Sequence, residues 1–263
     1  MINKFIILFK IGRKIGSSDI VEIIDKTHKV PFFIKFFFSL VSLSFSKKQK
    51  QTRNTNDLSS TIQELGTTFI KLGQFLATRP DIIGEELTKN LEKLQDKLPP
   101  FSKSLAEDII RKELGELTAK NIIEFSEPVA AASIAQVHKA KINEASTIKD
   151  VAVKVLRPNI KEIFNSEIDA IMMLAYLIET FIPKTKRLKL IEVVFLFKEI
   201  TNHEMDLRFE AAAANEYLEN TKNDLGFNVP KIYWNFTSES VLTLDWVDGI
   251  SCLLYTSPRP RDV

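Results

Sequence analysis

The hydrophobic period of this chain changes near residue 120, and that change constrains the fold more than any other feature. From Leu58 the apolar residues Leu58, Ile62, Leu65, Phe69, Leu72 and Leu76 recur three and four apart, the spacing of a helix face. Pro80 interrupts this pattern, and Asp81 precedes a second helix that carries Leu87, Leu91 and Leu94. Pro99-Pro100 ends it, because proline disfavours helical geometry in the residue before it. A third helical stretch, about 102–114, stops near Gly115. Residues 121–129, 134–142 and 150–156 are then short, rich in Val and Ile, and separated by turn-like segments, as in an antiparallel sheet. In the third of them Val151, Val153 and Val155 fall on one face, and Ala152, Lys154 and Leu156 on the other. Helical patterns follow over about 159–181 and 188–220, and strands over about 230–236 and 240–246 bring the number to five. The order predicts an α+β lobe with a five-stranded antiparallel sheet, preceded by an all-helical extension.

Composition excludes several classes of function. With 44% hydrophobic and 27% charged residues, the 263-residue chain is an ordinary folding protein. Its one cysteine, Cys252, rules out an internal disulfide framework, and with His28, His138 and His203 scattered it offers no zinc motif. The net charge of +2 conceals an asymmetry: residues 1–56 hold 11 Lys+Arg against 3 Asp+Glu, and the remainder holds 25 against 31. The basic end is also apolar, with Phe5-Ile-Ile-Leu-Phe9 and an aromatic run from Pro31 to Phe45 that contains Lys35. That run is shorter than the roughly 20 residues needed to span a bilayer. Two readings stay open: a helix lying on an anionic membrane surface, and a helix packed on the rest of the protein. Residues 46–57 are polar throughout and read as a linker.

The chemistry concentrates in the sheet. Pro128-Val-Ala130-Ala131-Ala132-Ser133-Ile-Ala-Gln136-Val-His138 is a small-residue turn between two strands, and Val151-Ala-Val-Lys154 closes the next strand. That is the layout of a kinase nucleotide pocket, in which the loop covers the phosphates and the strand lysine pairs with them. Here methyl groups stand where such loops carry bare glycine backbone, so this loop cannot drape over phosphates in the same way. An unpaired ammonium in an apolar strand is costly, so Lys154 needs an anionic partner. Glu162 and Glu167 on the next helix are candidates, as is Glu210 on a later one. On one continuous helix Glu199, His203, Asp206 and Glu210 share a face, while Glu204 points about 200° away from Asp206. Gly73 in mid-helix costs about 1 kcal/mol relative to alanine, which points to something packed closely against it.

Four segments taken in order carry a family resemblance. They are Phe69-Ile-Lys71-Leu-Gly73-Gln74 through Arg79-Pro80-Asp81, with Leu94-Gln95-Asp96-Lys-Leu-Pro99-Pro100 after it; the alanine loop; Val151–Lys154; and Glu204-Met-Asp206 with Glu210 through Asn215. Over about residues 55–250 the chain resembles the UbiB/ABC1/ADCK family of atypical protein-kinase-like proteins, which support ubiquinone biosynthesis. The resemblance implies a kinase-like N-lobe over 119–250 behind a helical extension over 58–118. It implies ATP with Mg2+ as cofactors, and nucleotide contacts from Ala130, Ala131, Ala132, Ser133 and Lys154, with Glu210 as the lysine's partner. It also implies that the Lys71 and Gln74 helix folds over the pocket where a peptide substrate would sit, and that Glu204 and Asp206 act as a functional pair. The segment Val241 through Gly249 reads as a last strand running into a hinge, with backbone groups around Asp245 and Val247 on the adenine edge and Trp246 or a neighbour packed on the ring.

The resemblance further implies a peripheral protein on the cytoplasmic face of a bacterial inner membrane or its mitochondrial equivalent. Its expected partners are ATP, an anionic membrane surface, a lipid or quinone intermediate, or a quinone-biosynthesis complex, and not nucleic acid. The catalytic aspartate and the magnesium ligands of phosphoryl transfer come in this family from a large lobe beyond the hinge. This sequence shows no His-x-Asp loop with a following asparagine and no Asp-Phe-Gly. Residues 251–263 lack the helical period expected past a hinge, so the reading expects a C-terminally truncated fragment with a tail foreign to the family, no metal ligands and little activity. An alternative is a non-catalytic membrane-associated lipid-binding or scaffold protein, which the basic apolar N-terminus favours.

Overall fold

The computed structural model describes residues 58–249 except 93 and 95–97. The basic segment and linker expected over 1–57 and the tail expected over 251–263 therefore lie outside the described residues. Among the described residues no helix is long and apolar enough to cross a membrane.

The helical extension is more broken than its periodicity predicts. Helix α1 (Leu58–Leu65) stops at Gly66, whose φ of +112° is open to glycine, and α2 (Thr67–Ala77) starts afresh with the Phe69 and Ile70 N–H groups bonded to the Gly66 carbonyl. The Pro80 break is followed by two short helices, α3 (Pro80–Ile83) and α4 (Glu85–Leu91), so Leu94 is buried beyond a helix end rather than on one. Helix α5 (Lys103–Leu114) ends before Gly115 as expected, and α6 (Glu116–Ala119) is a single turn.

Five strands form one antiparallel sheet: β1 (Ile122–Ile123), β2 (Pro128–Ala131), β3 (Ala135–Glu144), β4 (Thr147–Leu156) and β5 (Val241–Asp245). The order is β1-β3-β4-β5, with β2 also paired to β3. The number of strands is as expected, but two are assigned differently. The stretch 121–129 divides into β1 and β2 because Glu124 turns the chain at φ +50° and Pro128 restarts it. The stretch 230–236 is no strand: only Ile232 bridges to Leu244, and Trp234–Phe236 curls into a 3-10 turn that buries Phe236.

Between β4 and β5 run α7 (Ile160–Phe181), a 3-10 turn (Pro183–Leu188), α8 (Leu190–Glu204) and α9 (Leu207–Thr221). The helix expected over 188–220 is two helices. It breaks at Met205 and Asp206, where Met205 is buried and the Leu207 N–H leaves the helix ladder to bond the Glu239 carbonyl at 2.9 Å. The common face proposed for Glu199, His203, Asp206 and Glu210 does not exist, because the first two residues lie on α8 and Glu210 lies on α9.

The chain divides into two compact units. One gathers the described residues up to Pro100, Ala131–Ala135 and Leu156–Asp206. Its core joins Leu65, Phe69, Leu87, Leu91 and Leu94 to Ala170 of α7, and Phe197 of α8 meets Phe164 and Phe75 with ring centroids 5.6 and 5.5 Å apart. The other gathers Phe101–Ala130, Gln136–Val155 and the described residues from Leu207 onward. Its core places Val151, Val153 and Val155 of β4 with Ala140, Ile142 and Val241, under Ala106 and Ile110 of α5 and against Tyr233 and Phe236. Each fully buried valine contributes about 1.5–3 kcal/mol. This burial fixes which face of β4 is left for chemistry.

Candidate functional site

The valines of β4 face the core, so Ala152 and Lys154 occupy the opposite face, as the alternation of a strand requires. Leu156 continues that alternation and is buried at the strand end. On β3 the same alternation puts Val137, Lys139 and Lys141 on the Lys154 face, and on β5 Leu242 and Leu244 pair with Lys154 and Ala152. The face therefore sets the apolar side chains Val137, Ala152, Leu242 and Leu244 among three lysines, Lys139, Lys141 and Lys154. Lys154 Nζ donates to both carboxylate oxygens of Glu210, at 2.7 and 2.9 Å. Of the three glutamates open to it by sequence, Glu210 is the one it meets. The break before α9 makes this geometry, because Leu207 and Ala211 are buried and Glu210 stands exposed in the first turn.

The far end of β5 is held by side chains rather than by ladder bonds alone. Asp245 accepts from the Tyr233 hydroxyl at 2.6 Å and from the Lys231 N–H at 3.1 Å. Burial first, then the Asp245 bond and charge, push the Tyr233 phenol well above its usual pKa. The Trp246 N–H donates to the Asp150 carbonyl at 3.1 Å, its indole N–H donates to Asp248, and the Lys139 ammonium lies 4.7 Å from its ring centroid. One face of the Trp246 ring thus carries a cation, and Val247 beyond it is exposed.

Gln136 and His138 form a closed network on the core face of β3. The Gln136 amide exchanges hydrogen bonds with the Phe101 N–H and carbonyl at 2.9 and 3.2 Å, and lies 2.9 Å from His138 Nε2. His138 Nδ1 lies 2.8 Å from the Ser126 carbonyl, an acceptor only, so Nδ1 carries the proton and Nε2 accepts from Gln136. Phe125 stacks on the ring at 4.2 Å. Burial lowers the His138 pKa from its ordinary value, and a second ring proton would also face the Gln136 amide hydrogens.

The alanines are divided by the strand end. Ala130 and Ala131 belong to β2, and the turn proper is Ala132-Ser133-Ile134, with Ser133 fully buried.

In the other unit, α2 carries Lys71 and Gln74 one turn apart, both half-buried. Lys71 Nζ lies 2.7 Å from Glu204 Oε2 at the end of α8. Asp206 is half-buried in the joint after α8, with its N–H on the His203 carbonyl. Glu204 and Asp206 therefore occupy a helix end and a joint, and no continuous helix relates them. Gly73 is buried because a Cβ there would overlap Leu94 Cδ1 and lie 3.6 Å from Ile62 Cγ2. Arg79 and Asp81 pair locally at 2.7 and 2.8 Å, which raises the pKa of one and lowers that of the other.

Sequence reasoning missed Val137 and Leu244 as parts of the floor, although strand alternation with Lys154 contains both. It also missed Tyr233 and Arg157, for which no local pattern exists: one bonds a side chain 12 positions away and the other bonds backbone carbonyls. Among the described residues no group of three or more His, Cys, Asp or Glu could hold a metal ion.

An antiparallel sheet with a strand lysine paired to a helix glutamate, closed by a strand that leads into a segment without regular structure, defines the smaller lobe of a kinase-like fold. The chain belongs to the ABC1 family: the model of the ABC1 atypical kinase-like domain matches residues 93–257. Relatives include a protein named probable protein kinase UbiB from Marinobacter nauticus, 35% identical over 84% of this chain and 40% of its own length. A second of that name, from Pseudomonas paraeruginosa, is 32% identical over 92% of this chain and 45% of its own. The chain thus spans less than half the length of these curated relatives. Among solved structures, that of the Rv3197–erythromycin complex from Mycobacterium tuberculosis is similar with a TM-score of 0.50 and 28% identity, over 74% of this chain and 48% of that one.

Proposed function

We propose that this chain supplies the nucleotide-binding lobe of an atypical kinase-like ATPase or phosphotransferase that serves ubiquinone biosynthesis at a membrane. The observation that carries the reading is the Lys154–Glu210 pair on the sheet face opposite the core. An ion pair this exposed contributes only about 0–1 kcal/mol to folding, so stability does not account for an ammonium in that strand. Phosphate recognition does. Glu210 holds the ammonium through both carboxylate oxygens, Val137, Ala152 and Leu244 would offer apolar contact to a base, and backbone groups near Asp245 and Val247 would take its polar edge. Lys71, Gln74, Glu204 and Asp206 are the proposed occluding and regulatory set, with Ala130–Ser133 as the loop over the phosphates. ATP is the proposed nucleotide. Magnesium would neutralise its phosphates, but the described residues offer no ligand set for it.

The reading is tested by nucleotide-dependent thermal stabilisation of the full chain. Stabilisation by ATP or ADP that Lys154→Ala abolishes is the expected result; stabilisation that survives the substitution removes the pocket. A second reading, a non-catalytic lipid-binding or scaffold protein, is favoured by the excess of 11 basic over 3 acidic residues in 1–56. Flotation with anionic liposomes, with and without residues 1–56, tests the proposed membrane contact. Loss of flotation on deletion supports it, and unchanged flotation excludes that segment as the anchor.

A further inference from the structure

The turn that joins α7 to α8 concentrates positive charge. Four of the six residues 184–189 are basic: Lys184, Lys186, Arg187 and Lys189. The turn is held from within. Half-buried Thr185 donates to the Ile182 carbonyl through its hydroxyl at 2.7 Å and through its N–H at 2.9 Å. The Glu179 carboxylate accepts from the Ile191 N–H at 3.1 Å, which satisfies a donor in the first turn of α8. With Thr185 turned inward, Lys184, Lys186 and Arg187 stand exposed.

The acidic residues nearest the turn leave that charge in place. Glu179 is bonded to backbone, and Glu192 takes Lys189 through both oxygens at 3.0 Å. Among the described residues Lys184, Lys186 and Arg187 enter no ion pair. Apolar surface adjoins them. Phe181 at the end of α7 is 71% exposed, and Tyr176 and Leu177, 62% and 39% exposed, precede it within an arc of about 140° of the helix. Phe195 and Leu196 in the second turn of α8 are exposed as well. Large apolar side chains therefore flank the basic turn on both helices.

Single exposed apolar residues are ordinary, but aromatic and aliphatic groups gathered beside unpaired cations match one surface in both respects. Anionic headgroups attract the basic side chains, and the layer beneath them takes aromatic rings and leucines. Nucleic acid would answer the cations and leave Phe181 and Leu177 in water. An apolar helix would cover those two and leave the cations unmatched. α7 itself is not apolar enough to cross a bilayer.

We propose that the tip of the α7–α8 hairpin docks on an anionic membrane surface, with Lys184, Lys186 and Arg187 among the headgroups and Phe181 and its neighbours in the layer beneath. This rests on the membrane location in the proposed function and names for it a surface other than residues 1–56. It requires no nucleotide.

The test is flotation of the full chain with vesicles of phosphatidylcholine, with and without phosphatidylglycerol. The wild type should bind the vesicles that contain phosphatidylglycerol, less so at raised salt, and Lys184→Gln/Lys186→Gln/Arg187→Gln should weaken binding at least about tenfold. Phe181→Ser should weaken it several-fold with the charge intact, and decides if the triple variant fails to fold. Removing the same charge elsewhere, by Lys112→Gln/Lys120→Gln/Lys149→Gln, should leave binding nearly unchanged. Equal losses in the two triple variants would mean that net charge alone attracts the chain, and overturn the proposal. A wild type that floats and a tip variant that floats equally well overturn the hairpin and leave the membrane location standing. A wild type that stays off the vesicles overturns both. Tip substitutions that lower the molecular mass in sedimentation, or abolish binding to a single-stranded RNA homopolymer, while flotation is unchanged, assign the surface to a second copy or to nucleic acid instead.

Discussion

His138 is satisfied in one protonation state only, with Nδ1–H on Ser126 O and Nε2 accepting from Gln136. Above its ordinary pKa near 6.5 the ring is neutral in the folded and unfolded chains alike, so it adds no pH dependence there. As pH falls below that value the unfolded chain takes up the proton first, and stability drops until the lowered folded pKa is reached. The loss is at most about 1.4 kcal/mol per pH unit, and urea midpoints measured from pH 7 to pH 5 should fall accordingly. His138→Gln should remove this component of the slope; an unchanged slope would place the titration elsewhere. Tyr233→Phe removes the donor to Asp245, and a cost of roughly 1–2 kcal/mol in chemical denaturation is expected from the stranded carboxylate. Lys154→Met should behave in the opposite sense. Its melting temperature should stay within the change that about 1 kcal/mol allows, while nucleotide binding is lost. A large loss of stability in that variant would make the lysine structural.

At the level of elements, breaks between helices place the charged groups. The gap at Met205 and Asp206 ends α8 on Glu204 and starts α9 with Glu210 in its first turn, so two glutamates six positions apart pair with Lys71 and Lys154 separately. Periodicity could not reveal that break. Phe197 and Thr201 are four apart, as are Leu207 and Ala211, so each side of the break keeps a helical spacing, and the deciding bond runs from Leu207 to Glu239, far along the chain. The same holds for Gly66, which interrupts an unbroken apolar pattern through a positive φ. By contrast the two faces of β4 were legible, though not its start at Thr147, because three valines alternating with Ala152 and Lys154 admit one orientation over a buried core. The close approach at Gly73 was legible as well, from the cost of glycine in a helix. Gly73→Val should destabilise the chain by about 1–3 kcal/mol by forcing Leu94 out of its contacts, which a shift in denaturant midpoint would measure. A neutral result would mean that Leu94 moves freely aside.

For the whole molecule, the sequence motifs identify a family and the geometry shows how this member arranges them. The candidate site was legible where a side chain stands in a sequence pattern, as at Lys154 and its partner Glu210. It was hidden where backbone does the work, as at the alanine turn held by Arg157. The central claim is that the Lys154 face of the sheet binds nucleotide phosphate. The most direct measurement is the affinity of the full chain for ADP against adenosine, in the wild type and in Lys154→Ala. The account predicts that the diphosphate adds at least tenfold, or about 1.4 kcal/mol, in the wild type and nothing in the variant. Equal affinity for the two ligands in the wild type, or a phosphate gain that persists without Lys154, would contradict it.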